Sequence, residues 1–88
     1  MTTDIEAIKE AVRRHLAERL IPGDDPAALG DARPLISGGL MDSITTVALV
    51  TFVEQEFGVT FEAHEMGIDH LDSVALIAET VVAKLEGE

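Results

Sequence analysis

Apolar residues recur along this chain at the spacing of buried helix faces. Ile5, Ile8, Val12, Leu16 and Leu20 stand three or four apart, which puts them on one stripe of a helix over about Asp4 to Leu20. Thr3 and Glu6 have capping-box spacing at its start, and Pro22-Gly23 is its stop. Leu49, Val50, Val53 and Phe57 predict a second helix from about Ser43 to Phe57, with Gly58 ending it. Val47 and Phe52 fall outside that stripe, so its apolar arc is wide. Thr45, Thr46 and Thr51 are weak helix formers, which leaves packing rather than propensity to hold this segment. Val74, Ile77, Ala78, Val81, Val82 and Leu85 follow the i, i+3, i+4, i+7 template and predict a last helix from Asp72 or Ser73 to Leu85.

The connections are unequal. From about Ile21 to Met41, Pro26, Pro34 and four glycines argue against regular structure, apart from a short turn of helix near Pro26 to Leu29. Leu29, Leu35, Ile36, Leu40 and Met41 supply apolar anchors that should pack this loop across the other helices. Val59 and Phe61 begin a shorter connection, and Ala63 to Asp69 reads as one short helix limited by Gly67. No strand-like alternation occurs. The expected fold is all-α: a single domain over 1–88, a small three- to four-helix bundle with a long loop between the first and second long helices.

Composition narrows the function classes. The chain has 88 residues, 47% of them hydrophobic, enough for one small core but not for a deep catalytic cleft, and too apolar for a disordered acidic tail. Only Phe52, Phe57 and Phe61 are aromatic, so the core must come from Leu, Ile, Val and Ala. The absence of cysteine excludes disulfides, thiolate metal sites and cysteine nucleophiles. No apolar run is long enough to span a bilayer, and Asp4 and Glu6 give no basic signal-peptide start. A soluble, cytoplasmic monomer is expected.

The formal net charge of −11 is unevenly spread. No Lys or Arg occurs between Pro34 and Ala83, a span that holds Asp42, Glu54, Glu56, Glu62, Glu65, Asp69, Asp72 and Glu79. Such a field repels nucleic acid and anionic membrane and favours basic protein surfaces. Acidity also serves solubility alone. Arg13 and Arg14, with Glu10 and Glu18 at pairing distance, read as a solvated face of the first helix.

Candidate chemistry centres on Asp-Ser, which occurs at Asp42-Ser43 and at Asp72-Ser73. Both pairs precede an apolar-periodic segment, and both Asp and Ser are preferred helix caps. Asp72-Ser73 follows a short approach without an adjacent glycine and reads as an ordinary cap. Ser43 differs. Gly38 and Gly39 leave space for an enzyme to approach, and Leu40, Met41 and Ile44 form an apolar collar. A phosphate attached to Ser43 would lie at the positive end of a helix dipole. His64, Glu65, Asp69 and His70 lack helical metal-ligand spacing and read as surface polar residues, so no metal site is expected. No Ser-His-Asp arrangement or lysine-bearing phosphate loop is present.

Gly39-Leu40-Met41-Asp42-Ser43-Ile44 resembles the Gly-x-Asp-Ser-Leu motif of acyl and peptidyl carrier proteins, with one residue more before the aspartate and Ile for Leu. Val53-Glu54-Gln55-Glu56-Phe57-Gly58-Val59 is similar to the family's second-helix ending, and Leu71-Asp72-Ser73-Val74 to the start of its last helix. The resemblance implies that a phosphopantetheinyl transferase attaches phosphopantetheine to Ser43, with Asp42 helping to position the magnesium-bound coenzyme. It implies a carrier that is not itself an enzyme and that bears thioester-linked acyl or aminoacyl groups for an acyltransferase, an adenylating ligase or ketosynthase-type enzymes. Partners would touch Met41, Ile44, Val47, Ala48, Thr51 and Glu54. The family's fatty-acid members carry several carboxylates along this helix, whereas Ile44 to Val53 has none. That departure favours polyketide or nonribosomal peptide (antibiotic-type) biosynthesis. The alternatives are fatty-acid synthesis or D-alanyl transfer and, in another class, a non-catalytic acidic helical adaptor.

Overall fold

Asp4 opens the first helix: its backbone is extended and its carboxylate accepts the Glu6 amide at 3.0 Å. The computed structural model describes residues 4–20 and 29–87. Thr3, the Pro22-Gly23 stop and the turn expected near Pro26 lie outside the described residues. Helix α1 covers Ile5–His15 and continues as a wider, π-type turn over Leu16–Leu20. The wider turn brings two consecutive residues, Leu16 and Ala17, into the interior. The expected stripe is present, with Ile8, Val12 and Leu16 buried and Ile5 and Leu20 packed at its ends.

Helix α2 runs over Ser43–Phe57 and ends on Gly58 in the left-handed conformation (φ 71°), a backbone state that glycine adopts without strain. Helix α3, Ile68–Leu71, is a single turn, and α4 covers Val74–Gly87. The short helix expected over Ala63 to Asp69 is two turns instead. A 3₁₀ turn spans Ala63–Glu65, and Gly67 is the extended residue that begins α3 rather than one that ends a helix. Among the described residues there is no strand, and the molecule is a small helical bundle.

Helix α1 packs mainly on α4, α3 lies against α4, and α2 meets the π-type turn. The core joins Val12, Leu16, Leu49, Val53, Ile77 and Val81 with Leu29 and Leu35 of the long loop. The described part of that loop therefore contributes Leu29 and Leu35 to the interior. Its charged fastening is also visible. Arg13 donates to the Leu29 carbonyl at 2.9 Å and to Asp31 at 2.6 Å, and Lys9 reaches Asp31 at 2.8 Å. Lys9 beside it holds the Asp31 carboxyl below its ordinary range. Arg13 also pairs with Glu10 at 3.3 Å. Arg13 is thus a half-buried loop anchor, not part of a solvated face, while Arg14 is exposed. No helix among the described residues is long and apolar enough to cross a membrane.

Candidate functional site

Asp42, not Ser43, caps α2. Its backbone is extended, its Oδ1 accepts the Thr45 amide at 2.8 Å, and its carbonyl accepts both the Thr46 amide (2.9 Å) and the Thr46 hydroxyl (2.8 Å). The Thr45 amide, reinforced by the Thr45 hydroxyl, holds the Asp42 carboxyl below the usual carboxylate range. Ser43 is the first helical residue. Its side chain is exposed, and no hydrogen bond engages its hydroxyl among the described residues.

The second pair divides the work the other way. Ser73 is buried and its hydroxyl accepts the Leu76 amide at 3.1 Å, so here the serine is the cap. Asp72 is free for another task and binds the backbone of the long loop (below).

The glycines before Ser43 build a tight turn. Leu35 accepts the amides of Leu40 (2.9 Å) and Met41 (3.0 Å), and Ile36 accepts that of Gly39 (3.1 Å). A Cβ on Gly38 would stand 2.3 Å from the Pro34 carbonyl oxygen, and Gly39 has φ 82°. Both positions therefore need glycine for close backbone approach and a positive φ. They shape the turn that leads to Ser43, and both are exposed.

The collar splits. Met41 is buried at 4% exposure and Leu40 is half-buried, whereas Ile44 is 81% exposed. Of the other expected contact residues, Val47 is 53% exposed, Thr51 is exposed with its hydroxyl on the Val47 carbonyl (3.0 Å), and Ala48 is half-buried. Glu54 has a structural duty, because its carboxylate accepts the Phe61 amide at 2.8 Å. A surface groove of about 450 Å³ runs beside Ser43, with Ile36, Met41, Val47, Met66, Gly67 and Ile68 in its lining. Ile68 is 52% exposed. Met66 and Ile68 escaped the sequence reading; the only signal was two apolar residues inside an acidic, short-helix segment.

A second groove, of about 570 Å³, lies between the 3₁₀ turn and α4. His64 and His70 meet edge to face there with ring centroids 6.4 Å apart, and His70 Nδ1 has no hydrogen-bond partner among the described residues. Glu65 is paired with Lys84 at 2.6 Å, which holds its carboxyl below the ordinary range. No three potential metal ligands converge among the described residues.

The acid-rich half-chain thus has a partly internal explanation. Asp42, Glu54 and Asp72 accept backbone amides, and Glu65 accepts both Lys84 and the Glu62 amide. No protein-family model matches this chain, and no curated protein matches it.

Proposed function

We propose that this chain is a discrete carrier protein that holds acyl or aminoacyl groups as thioesters on a phosphopantetheine attached to Ser43. The observation that carries the reading is the division of labour at α2. Asp42 satisfies the helix start, which leaves the Ser43 hydroxyl exposed and unengaged. A serine needed only as a cap would be spent as Ser73 is.

The residues present suit the group. Ser43 stands at the positive end of a helix with 15 residues, Ser43–Phe57, where a phosphodiester charge is favoured. The adjoining groove has apolar walls suited to a chain of mixed polarity. In attachment, the Ser43 oxygen attacks the phosphorus of coenzyme A that bears the pantetheine. A new phosphodiester forms, the pyrophosphate bond breaks, the adenosine bisphosphate departs, and the hydroxyl proton passes to a base of the transferase. Asp42 is available at that encounter to orient the magnesium-bound coenzyme. When bound, phosphopantetheine supplies the thiol that this cysteine-free chain lacks. In this reading the chain is the substrate of the transferase and the presenter of its cargo, and the base that activates the Ser43 hydroxyl belongs to the transferase.

The exposed start of α2 carries Ile44 and Val47 and no carboxylate after Asp42 until Glu54. Partner enzymes would therefore meet an apolar patch with acids at its rim. This favours a specialised polyketide or nonribosomal peptide pathway in the cytoplasm over general fatty-acid synthesis or D-alanyl transfer. Mass measurement after incubation with coenzyme A, magnesium and a broad-specificity phosphopantetheinyl transferase tests the reading. An acidic adaptor would stay unmodified.

A further inference from the structure

The loop that leads to Ser43 is held by the residue that precedes α4. Asp72 Oδ1 accepts the amides of Ile36 (2.7 Å) and Ser37 (2.8 Å), and Oδ2 accepts the Ser37 hydroxyl (2.7 Å). The Asp72 carbonyl accepts the Leu35 amide at 2.6 Å. Leu35 in turn accepts the amides of Leu40 and Met41, and Met41 adjoins the cap residue Asp42. An unbroken series of hydrogen bonds therefore runs from Asp72 to the chain entering α2. Ile36, held by the carboxylate, and Met41, reached through the Asp72 main-chain carbonyl and Leu35, both line the groove beside Ser43.

We infer that Asp72 is a positioning residue for the Ser43 site: its carboxylate holds the Ile36-Ser37 part of the loop, beside which a transferase must dock to reach the serine hydroxyl. The inference rests on the carrier reading of Ser43. Capping of α4 does not explain the Asp72 carboxylate, because Ser73 performs that task. Asp72 instead gathers three donors separated from it by 35 or 36 positions in the chain. Removing it would strand the part-buried Ile36 amide, which costs more than the loss of an exposed contact.

Asparagine separates positioning from charge. Its carbonyl oxygen can accept both amides, and its NH₂ can donate to the Ser37 hydroxyl, which also accepts. The experiment compares modification of wild type, Asp72→Ala, Asp72→Asn, Ser37→Ala and Val81→Ala by a broad-specificity transferase, with carrier concentration varied. Val81 is a core residue remote in role from the loop and controls for lost stability. Asp72→Ala should lower kcat/KM about tenfold or more, chiefly through KM, as misplacement of a recognition surface does. Asp72→Asn and Val81→Ala should stay close to wild type, and Ser37→Ala should fall between. Amide exchange at Ile36 and Ser37 in the unmodified protein should accelerate in Asp72→Ala alone among the Asp72 and Val81 variants. Wild-type kcat/KM in Asp72→Ala, or an equal loss in Val81→Ala, overturns the inference while leaving the carrier reading intact. If Asp72→Ala does not fold, an unimpaired Ser37→Ala overturns it instead. An unmodified wild type removes the carrier reading and the inference together.

Discussion

Asp42 accepts the Thr45 amide at 2.8 Å and so occupies the cap that Ser43 would otherwise fill. At the second Asp-Ser pair the serine caps and the aspartate holds a distant loop. The same dipeptide thus does opposite work at the two helix starts, and only one of the two leaves a hydroxyl exposed.

The two parts assigned to Asp42 are separable. Asp42→Asn keeps an acceptor for the Thr45 amide, because Asn and Asp cap about equally well. Asp42→Ala removes it. Urea denaturation should give an unchanged midpoint for Asn and a lower one for Ala. Both variants should be modified more slowly than wild type if, as proposed, the Asp42 carboxylate orients the magnesium-bound coenzyme. Wild-type modification of Asp42→Asn would reduce Asp42 to a cap.

The three long helices were legible because each repeats apolar residues over several turns and one of them, α2, is closed at both ends by local signals, Asp42 and Gly58. The segment from Ala63 to Leu71 was not. Single turns are too short to show a period, and Gly67 reads equally as a helix stop or a helix start. The serine was legible as a candidate, but its freedom was not, since sequence could not say which member of Asp-Ser would cap. Arg13 and Asp72 were misread as local features because their partners, Asp31 and Ile36-Ser37, are far along the chain.

Phe57 was expected inside and is half-buried at the rim, whereas Leu49 is fully buried. Leu49→Ala should therefore cost about 2–5 kcal/mol, and Phe57→Ala should cost less than a buried phenylalanine does. Chemical denaturation of the two variants checks the order. A larger loss for Phe57→Ala would place the ring, not Leu49, at the centre of packing.

His15 stacks on Phe52, with ring centroids 3.7 Å apart and planes 5° from parallel. Burial, then Arg19, lowers its pKa below the ordinary value, against weaker opposite effects of Glu18 and Glu56. The folded state thus prefers the neutral ring. Its contribution to stability should be complete above the unfolded value, about 6.5, and be lost as pH falls through the folded one. His15→Phe keeps a stacking ring without a proton to bind. Thermal midpoints measured from neutral to mildly acidic pH should fall more in wild type than in this variant; parallel curves would contradict the assignment.

Val47 is exposed next to the groove, while Glu56 is exposed at the far end of α2. A central apolar contact governs residence time, and a rim charge mainly the association rate. On pre-modified protein, Val47→Asp should slow transfer from the cognate partner more than Glu56→Gln does. Equal rates for wild type and Val47→Asp would remove Val47 from the interface.

The central claim is that Ser43, and not Ser73, is the attachment point. Intact mass is read after incubation with coenzyme A, magnesium and a broad-specificity phosphopantetheinyl transferase. Wild type and Ser73→Ala should each gain one phosphopantetheine, and Ser43→Ala should gain none. An unmodified wild type, under conditions that fully convert a known carrier, would contradict the account, as would modification that persists in Ser43→Ala.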